Sequence, residues 1–383
     1  MAGQRSESPV SQKRNVLGLA AASFFNDTAT EIAYWILPLF LTRHLGVGAV
    51  ALGWIEGMAE GMTSFARLLS GHWTDRVGRR KPFVVTGYIV SNVAKPLLAL
   101  VTAVGQVAAI RTTDRLAKGF RTPPRDAMLA ESIQAGARGS AFGFRQAMDS
   151  AGALAGPLLA FWLLARGFGL RAIFAAAAIP GMLSILTVIF AVRETGSAER
   201  SGERTEKVAL GPRYHRLLLA VGLFALANSS DLFLVLRAQG FGIVQPPLLG
   251  LVFNLSYTAL AWPCGKLSDR LPRRWLLATG YAVFAAVYLG FARAGSARQI
   301  WLLFAFYGVY YALSESVLKA LVADIVPRAS RGRAYGLLAA LYGVLVVGAS
   351  VLTGQLWQHF GAQVPFYLSA VLAMLAALLV LRV

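Results

Sequence analysis

Apolar residues in this chain come in stretches of about 20 positions, each long enough as a helix to cross roughly 30 Å of hydrocarbon. Short polar or basic runs separate them. The pattern predicts helices near 16–42, 48–73, 82–104, 107–131, 140–165 and 171–192. After the polar stretch RETGSAERSGERTEK it predicts six more, near 214–237, 245–268, 274–293, 299–322, 333–358 and 363–383. This reads as an all-α polytopic membrane protein with twelve transmembrane helices. Composition agrees, because 14% of the 383 residues are charged and 56% are hydrophobic, where a soluble protein carries about 25% charged residues.

Charge then orients the spans. Lysine and arginine number 37 against 18 acidic residues, a formal net charge of +19. In a soluble chain that excess would suggest nucleic acid, but here it sits in the short loops and no basic binding module is legible. Assigning loops alternately gives one side Lys13, Arg14, Arg79, Arg80, Lys81, Arg273, Arg274 and many more. The other side holds Arg43, Arg166, Arg171, Arg237, Arg293 and Arg298. The excess marks the cytoplasmic side, so both termini are expected in the cytoplasm. The opening MAGQRSESPVSQKRN is polar and lacks a small-residue cleavage site after its first apolar run, so residues 1–15 read as a cytoplasmic tail. One cysteine, Cys264, excludes an intramolecular disulfide framework and a multi-cysteine metal site. His44, His72, His215 and His359 lie near predicted helix ends without metal-ligand spacing, so no metal and no cofactor is expected. Neither a phosphate-binding G-x-x-x-x-G-K-[ST] loop nor a G-x-S-x-G elbow occurs, which leaves ATP-driven transport and serine hydrolysis without support.

The halves repeat. GHWTDRVGRRKP at 71–82 is echoed by GKLSDRLPRRWL at 265–276. TGY at 86–88 returns at 279–281, AES at 130–132 as ADI at 323–325, and RGSAFG at 138–143 as RGRAYG at 331–336. These last three pairs share one offset of 193 residues, which implies six helices duplicated in parallel. The expected organisation is a bundle over 16–192, a charged cytoplasmic linker over 193–213 and a second bundle over 214–383.

Residues 71–80 carry a pattern beyond composition. Gly71 permits close helix contact, Asp75 can accept hydrogen bonds at a helix N-terminus, and Arg76, Arg79 and Arg80 hold the loop in water. Together with Gly78 these residues match G-x-x-x-D-R-x-G-R-R, and the chain thereby resembles the major facilitator superfamily of secondary transporters. The resemblance implies two six-helix bundles around a central cavity. It also implies a latch at this loop, with Asp75 meeting the region of Arg333 and Ala334; the second copy has Pro272 where the loop glycine would stand. Arg115-Leu-Ala-Lys118-Gly119 is similar to the family's R-x-x-Q-G element, with Lys118 in place of glutamine. Gly152-Ala-Leu-Ala-Gly156-Pro157 is similar to its antiporter element, where small residues let helices approach and proline kinks the fifth span.

The remaining signal is charge inside the spans, where each ionised side chain costs at least about 2.5–3.5 kcal/mol and needs a partner or water. Asp27 and Glu31 lie four apart on the first span, and Glu56 and Glu60 on the second. Asp114, Lys118, Arg121 and Arg125 form a stripe on the fourth, flanked by Arg111, with Arg115 further round. Arg145 and Asp149 lie four apart on the fifth. The second half offers Asp231, Glu315 and Lys319, with Asn228 and Asn254. Three readings follow. A carboxylate among Asp27, Glu31, Glu56, Glu60, Asp114 and Asp149 carries a coupling proton; or Arg115, Lys118, Arg121 and Arg145, with Asn228, Asp231 and Glu315, hold substrate; or the charges form a permanent structural lattice. Tyr307, Tyr310 and Tyr311 suit core packing better than a cavity wall, and Lys95-Pro96 suggests no role. The leading expectation is proton-coupled efflux of a small organic molecule by alternating access, from a monomer in a bacterial inner membrane surrounded by lipid. Uptake or exchange of an organic anion comes second. A lipid flippase or a non-transporting receptor on the same fold is a different class, and a receptor would carry extra soluble surface.

Overall fold

The computed structural model describes residues 9–77, 79–132, 138–195, 210–327 and 331–383. Among the described residues it is all-helical: α1 (Pro9–Tyr34), α2 (Leu37–His44), α3 (Ala49–Val77), α4 (Lys81–Leu97), α5 (Val104–Glu131), α6 (Arg138–Ala165), α7 (Leu170–Ala176), α8 (Ala178–Ala191), α9 (Pro212–Ala227), α10 (Leu232–Gln239), α11 (Pro246–Arg270), α12 (Arg273–Arg293), α13 (Ala297–Ile325), α14 (Arg331–Phe360) and α15 (Val364–Val380). The twelve expected spans are present, three of them in two pieces. The first divides between α1 and α2, where Pro38 stands in the opening turn of α2. The sixth divides at Ala177 and the seventh at 228–231. The third ends in a 3-10 turn, Leu98–Leu100, just beyond Pro96.

Some boundaries differ from expectation. Helix α1 starts at Pro9, inside the stretch expected to be a tail. Its polar first turns are held by side chains: Asn15 is buried, donates to Ser132 Oγ at 3.0 Å and accepts from the Arg193 backbone N–H at 2.8 Å. Helix α3 runs to Val77, so Asp75 stands in its last turn rather than at a helix N-terminus. The environments of Gly71, Asp75, Arg76 and Gly78, and of Arg333, lie outside the described residues, as does most of the expected linker. Among the described residues, seven stretches are individually long and apolar enough to cross a membrane, from Lys81–Leu100 to Ala334–Phe360. The first, second and fourth spans fall short because they carry the polar and charged side chains.

The chain forms two compact units. One comprises Met1–Tyr34, Phe65–Thr102 and Ala109–Gly202; the other comprises Trp35–Ser64, Ala103–Ala108 and Glu203–Val383. In the first, α1 lies along α6 and α8, and α4 along α8. Leu19, Ala22, Val84, Tyr88, Met128, Leu129 and Val188 form its core at the end where α1 begins. Polar bonds close that end. Glu194 accepts from the backbone N–H groups of Arg80 and Lys81 at the start of α4, at 2.9 and 3.1 Å, where a carboxylate meets unpaired helix donors. Arg80 pairs with Glu131, which also accepts from Thr195.

The glycines of the fifth span work as the pattern suggests. A side chain at Gly152 would meet Phe24 O at 2.5 Å, and one at Gly156 would meet Glu31 Cβ at 2.5 Å, so α6 approaches α1 backbone to backbone. Pro157 follows within α6. Gly156→Val is expected to destabilise the protein by about 1–3 kcal/mol, the usual cost of overpacking. Thermal unfolding in detergent measures this, and an unshifted midpoint would remove the tight-contact role.

In the second unit, α13 packs on α11 and α12, and α12 on α15. Aromatic stacks fill the interior: Phe224 on Tyr281 with centroids 3.8 Å apart, and Phe284 on Tyr288 at 3.9 Å. The first half of α3 crosses α14 through small residues, with Gly53 against Ser350 O and Gly57 against Val347 O. Trp35, at the break between α1 and α2, lies flat against Gly250 of α11.

Candidate functional site

Among the described residues each unit buries a charged cluster within its spans, and the two differ in chemistry. In the first unit the centre is Lys95, on the last turn of α4 and 3% exposed. Ser91, Asn92 and Lys95 lie on one helix face at spacings of three and four. The ammonium donates to Asn92 Oδ1 at 2.9 Å, Ser91 Oγ at 3.1 Å and Asn26 Oδ1 of α1 at 3.0 Å. Three donors meet three acceptors, which saturates the group. Asp114 of α5, 4% exposed, accepts from Ser91 Oγ at 2.5 Å and pairs with Lys95 and with Arg111, each at 3.8 Å.

The charges around that centre are also engaged. Asn26, which accepts from Lys95 and so links α1 to α4, donates through Nδ2 to its neighbour Asp27 Oδ1 at 3.0 Å. Arg111 and Arg115 lie over the Tyr34 ring at 5.5 and 6.0 Å, and Arg121 lies over Tyr88 at 4.4 Å. Arg145 pairs with Asp149 at 2.5 Å, the spacing of four seen in the sequence. Arg125 pairs with its neighbour Asp126. Lys118 and Glu31 are half-buried on the same unit, Lys118 on the stripe beside Arg121 and Glu31 against Gly156. The charges singled out on the first, fourth and fifth spans lie around Lys95, whereas Glu56 and Glu60 of the second span act on Asp231 instead. Lys95 was legible only through Ser91 and Asn92 on its own face, since Asn26 and Asp114 come from other helices.

In the second unit the centre is Asp231. The run Asn228-Ser229-Ser230-Asp231 separates α9 from α10, because short polar side chains compete with the helical backbone for hydrogen bonds. Ser230 Oγ approaches the Leu232 N–H at 3.4 Å, and the Ser230 N–H donates to Ser350 Oγ at 3.3 Å, so side chains satisfy the interrupted backbone. Asp231 accepts from Tyr307 at 2.6 Å and Tyr311 at 3.3 Å, both on α13. Among the described residues no ion pair joins it to a lysine or arginine. The charged groups that act on it are Glu60 and Glu56 of α3. Glu56, 1% exposed, accepts from Ser230 Oγ at 3.3 Å.

Asn228 donates to Tyr342 at 2.7 Å and lies 3.4 Å from the Tyr310 hydroxyl. Glu315 accepts from Tyr257 at 2.8 Å and pairs with Lys319 at the exposed edge. Asn254 donates within its own helix to Gly250 O at 3.0 Å. Tyr307 and Tyr310 are buried core aromatics as expected, yet Tyr307 and Tyr311 are also the hydrogen-bond partners of Asp231. Packing and polar roles coincide here, which a choice between them had not anticipated. Among the described residues, no three His, Cys, Asp or Glu side chains converge to hold a metal ion.

The repeat extends into these contacts. Arg80–Glu131 in the first unit has its counterpart in Arg273–Asp324 in the second, both partners shifted by the 193 residues that relate AES to ADI. The polar centres do not repeat, because the second half has no equivalent of Lys95 or Asp114.

Comparison with known proteins accords with this architecture. The family model described as Major Facilitator Superfamily matches residues 19–245 and 238–383. An uncharacterized MFS-type transporter of Methanocaldococcus jannaschii is 34% identical over 380 residues, covering 96% of this chain and 94% of the relative. The multi-drug resistance efflux pump PmrA of Streptococcus pneumoniae is 24% identical over 357 residues, covering 88% of each. The crystal structure of a D-xylose-proton symporter superposes with a TM-score of 0.76 at 18% identity, covering 97% of both chains.

Proposed function

Since this chain belongs to the major facilitator superfamily of membrane transporters, we propose that it moves a small organic molecule out of the cell in exchange for protons. The observation that carries the reading is Asp231, held by two tyrosine hydroxyls and acted on by Glu56 and Glu60. Unit charges 4 Å apart repel by about 4 kcal/mol at an effective dielectric of 20. Asp231, which pairs with no lysine or arginine among the described residues, therefore favours taking up a cation, and in a transporter that cation is a proton or a charge on the cargo. In the lattice of Lys95, Asp114 and Arg111 each charge already faces one of opposite sign, so it serves as scaffold.

PmrA, named as an efflux pump, supports the outward direction, and the D-xylose-proton symporter shows a chain of this fold named for proton coupling. In this reading the halves over 16–192 and 214–383 alternate in exposing the site, the termini are cytoplasmic, and Asp75 with Arg76, Arg79 and Arg80 forms the latch. Exchange of an organic anion on α5 is less favoured, since Arg111 faces Asp114 and Arg121 lies over Tyr88.

The test is proton movement in proteoliposomes holding a pH-sensitive dye, with a panel of cationic, neutral and anionic organic molecules. At least one of them is expected to drive proton movement through the wild type. Substrate transport with no accompanying proton movement would overturn the coupling. Anions alone as cargo would overturn the choice of site.

A further inference from the structure

Asn228 and Asp231 stand on either side of the α9–α10 break and reach the same turn of α13. Asn228 meets Tyr310, and Asp231 meets Tyr307 and Tyr311. Two rings of α11 close on this turn: Phe253 lies edge-on to Tyr311 at 5.1 Å and Tyr257 at 6.0 Å. Tyr307, Tyr310 and Phe253 are buried, whereas Asp231, Tyr257 and Tyr311 are only half-buried, so one edge of the patch is partly exposed.

The chemistry of the patch is one-sided. Asp231 offers only acceptor oxygens, and Glu56 and Glu60 add negative charge. Asn228 is 7% exposed and directs its amide N–H groups toward the Tyr310 and Tyr342 hydroxyls. Among the described residues, its Oδ1 is buried and meets no hydrogen-bond donor. A buried acceptor without a donor is an unpaid desolvation cost that a ligand can remove. The ring faces beside it are electron-rich and attract cations. Among the described residues no lysine or arginine pairs with Asp231 and no donor reaches Asn228 Oδ1, and an ammonium nitrogen brings both a positive charge and an N–H.

We propose that this patch binds a protonated organic amine with an aromatic or apolar body, its N–H donating to Asn228 Oδ1 and its charge lying against Asp231, Tyr311 and Phe253. This names the cargo class for the transport reading above and rests on that reading for calling the amine cargo. A carboxylate ligand has no donor and is repelled by Asp231. A quaternary ammonium keeps the charge and the ring contact but cannot satisfy Asn228.

Isothermal titration of the purified full-length protein in detergent separates these cases with three probes: dimethyl(naphthylmethyl)amine, its trimethylammonium analogue and naphthylacetate. The amine is expected to bind, the quaternary analogue about tenfold more weakly, the effect of one charge-assisted hydrogen bond, and naphthylacetate not at all. Asn228→Leu should weaken the amine about tenfold while leaving the quaternary analogue unchanged. Asp231→Asn should weaken both cations, and Tyr311→Phe is the milder variant should Asp231→Asn fold poorly. Equal binding of amine and quaternary analogue that ignores Asn228→Leu would overturn the proposal, as would naphthylacetate binding through this patch. Amine binding without proton movement in proteoliposomes would instead overturn the transport reading alone. Proton movement driven by other cargo, with no amine binding, would overturn this proposal alone.

Discussion

Asp231→Asn is expected to abolish coupled transport, lowering substrate-driven proton movement by roughly 100-fold or more, the scale on which a positioned proton-transferring side chain acts. The substitution keeps the shape of the side chain, and the Tyr307 hydroxyl at 2.6 Å can still donate to the amide oxygen. The folded state should therefore survive, with a near-native unfolding midpoint. What disappears is the exchangeable charge. Tyr307→Phe removes one hydrogen bond to that carboxylate, worth about 1.5–3 kcal/mol, and is expected to reduce turnover about tenfold. Unchanged proton movement by Asp231→Asn would transfer the coupling role to other carboxyls, with Asp27 and Asp149 of the first unit next in order.

Lys95→Met is expected to be the most destabilising single change in the first unit, costing roughly 3–5 kcal/mol, because it leaves a buried carboxylate without its ammonium partner. Three oxygens, from Asn26, Ser91 and Asn92, lose their donor at the same time. The thermal unfolding midpoint of detergent-purified variants reads the effect. Lys95→Met with Asp114→Leu should be less destabilised than the sum of the two single changes, since contacting charges couple. Additive losses would show that Lys95 is held by its hydrogen bonds alone and that Asp114 is balanced by Arg111. The contrast with Asp231 is the useful one: Lys95 should govern stability more than turnover, and Asp231 turnover more than stability.

The two predictions differ in how far the sequence reached them. Asp231 was visible as an intramembrane charge, but its tyrosine partners lie 76 and 80 positions away, and nothing local marks the pairing. Lys95 was visible yet mute, since one of its amide partners and its counter-ion come from α1 and α5. The Arg145–Asp149 pair and a close helix approach at Gly152 and Gly156 were legible in advance, though not that α1 is the partner. The pair is set by the spacing of one helix turn, and the close approach by the absence of side chains.

The sequence by itself therefore determined what depends on neighbours along the chain: the twelve spans, the duplication at an offset of 193 and the family. Apolar length, loop charge and repeated motifs are one-dimensional quantities, and a bilayer permits few folds for them. Only the tertiary structure decided which buried charges are matched and which remain available. It placed Lys95 among three oxygens and a carboxylate, and set Asp231 against tyrosines with Glu56 and Glu60 acting on it. The physical reason is that the cost of a buried charge depends on atoms within a few ångströms in space, and those atoms belong to helices that the sequence holds dozens of residues apart.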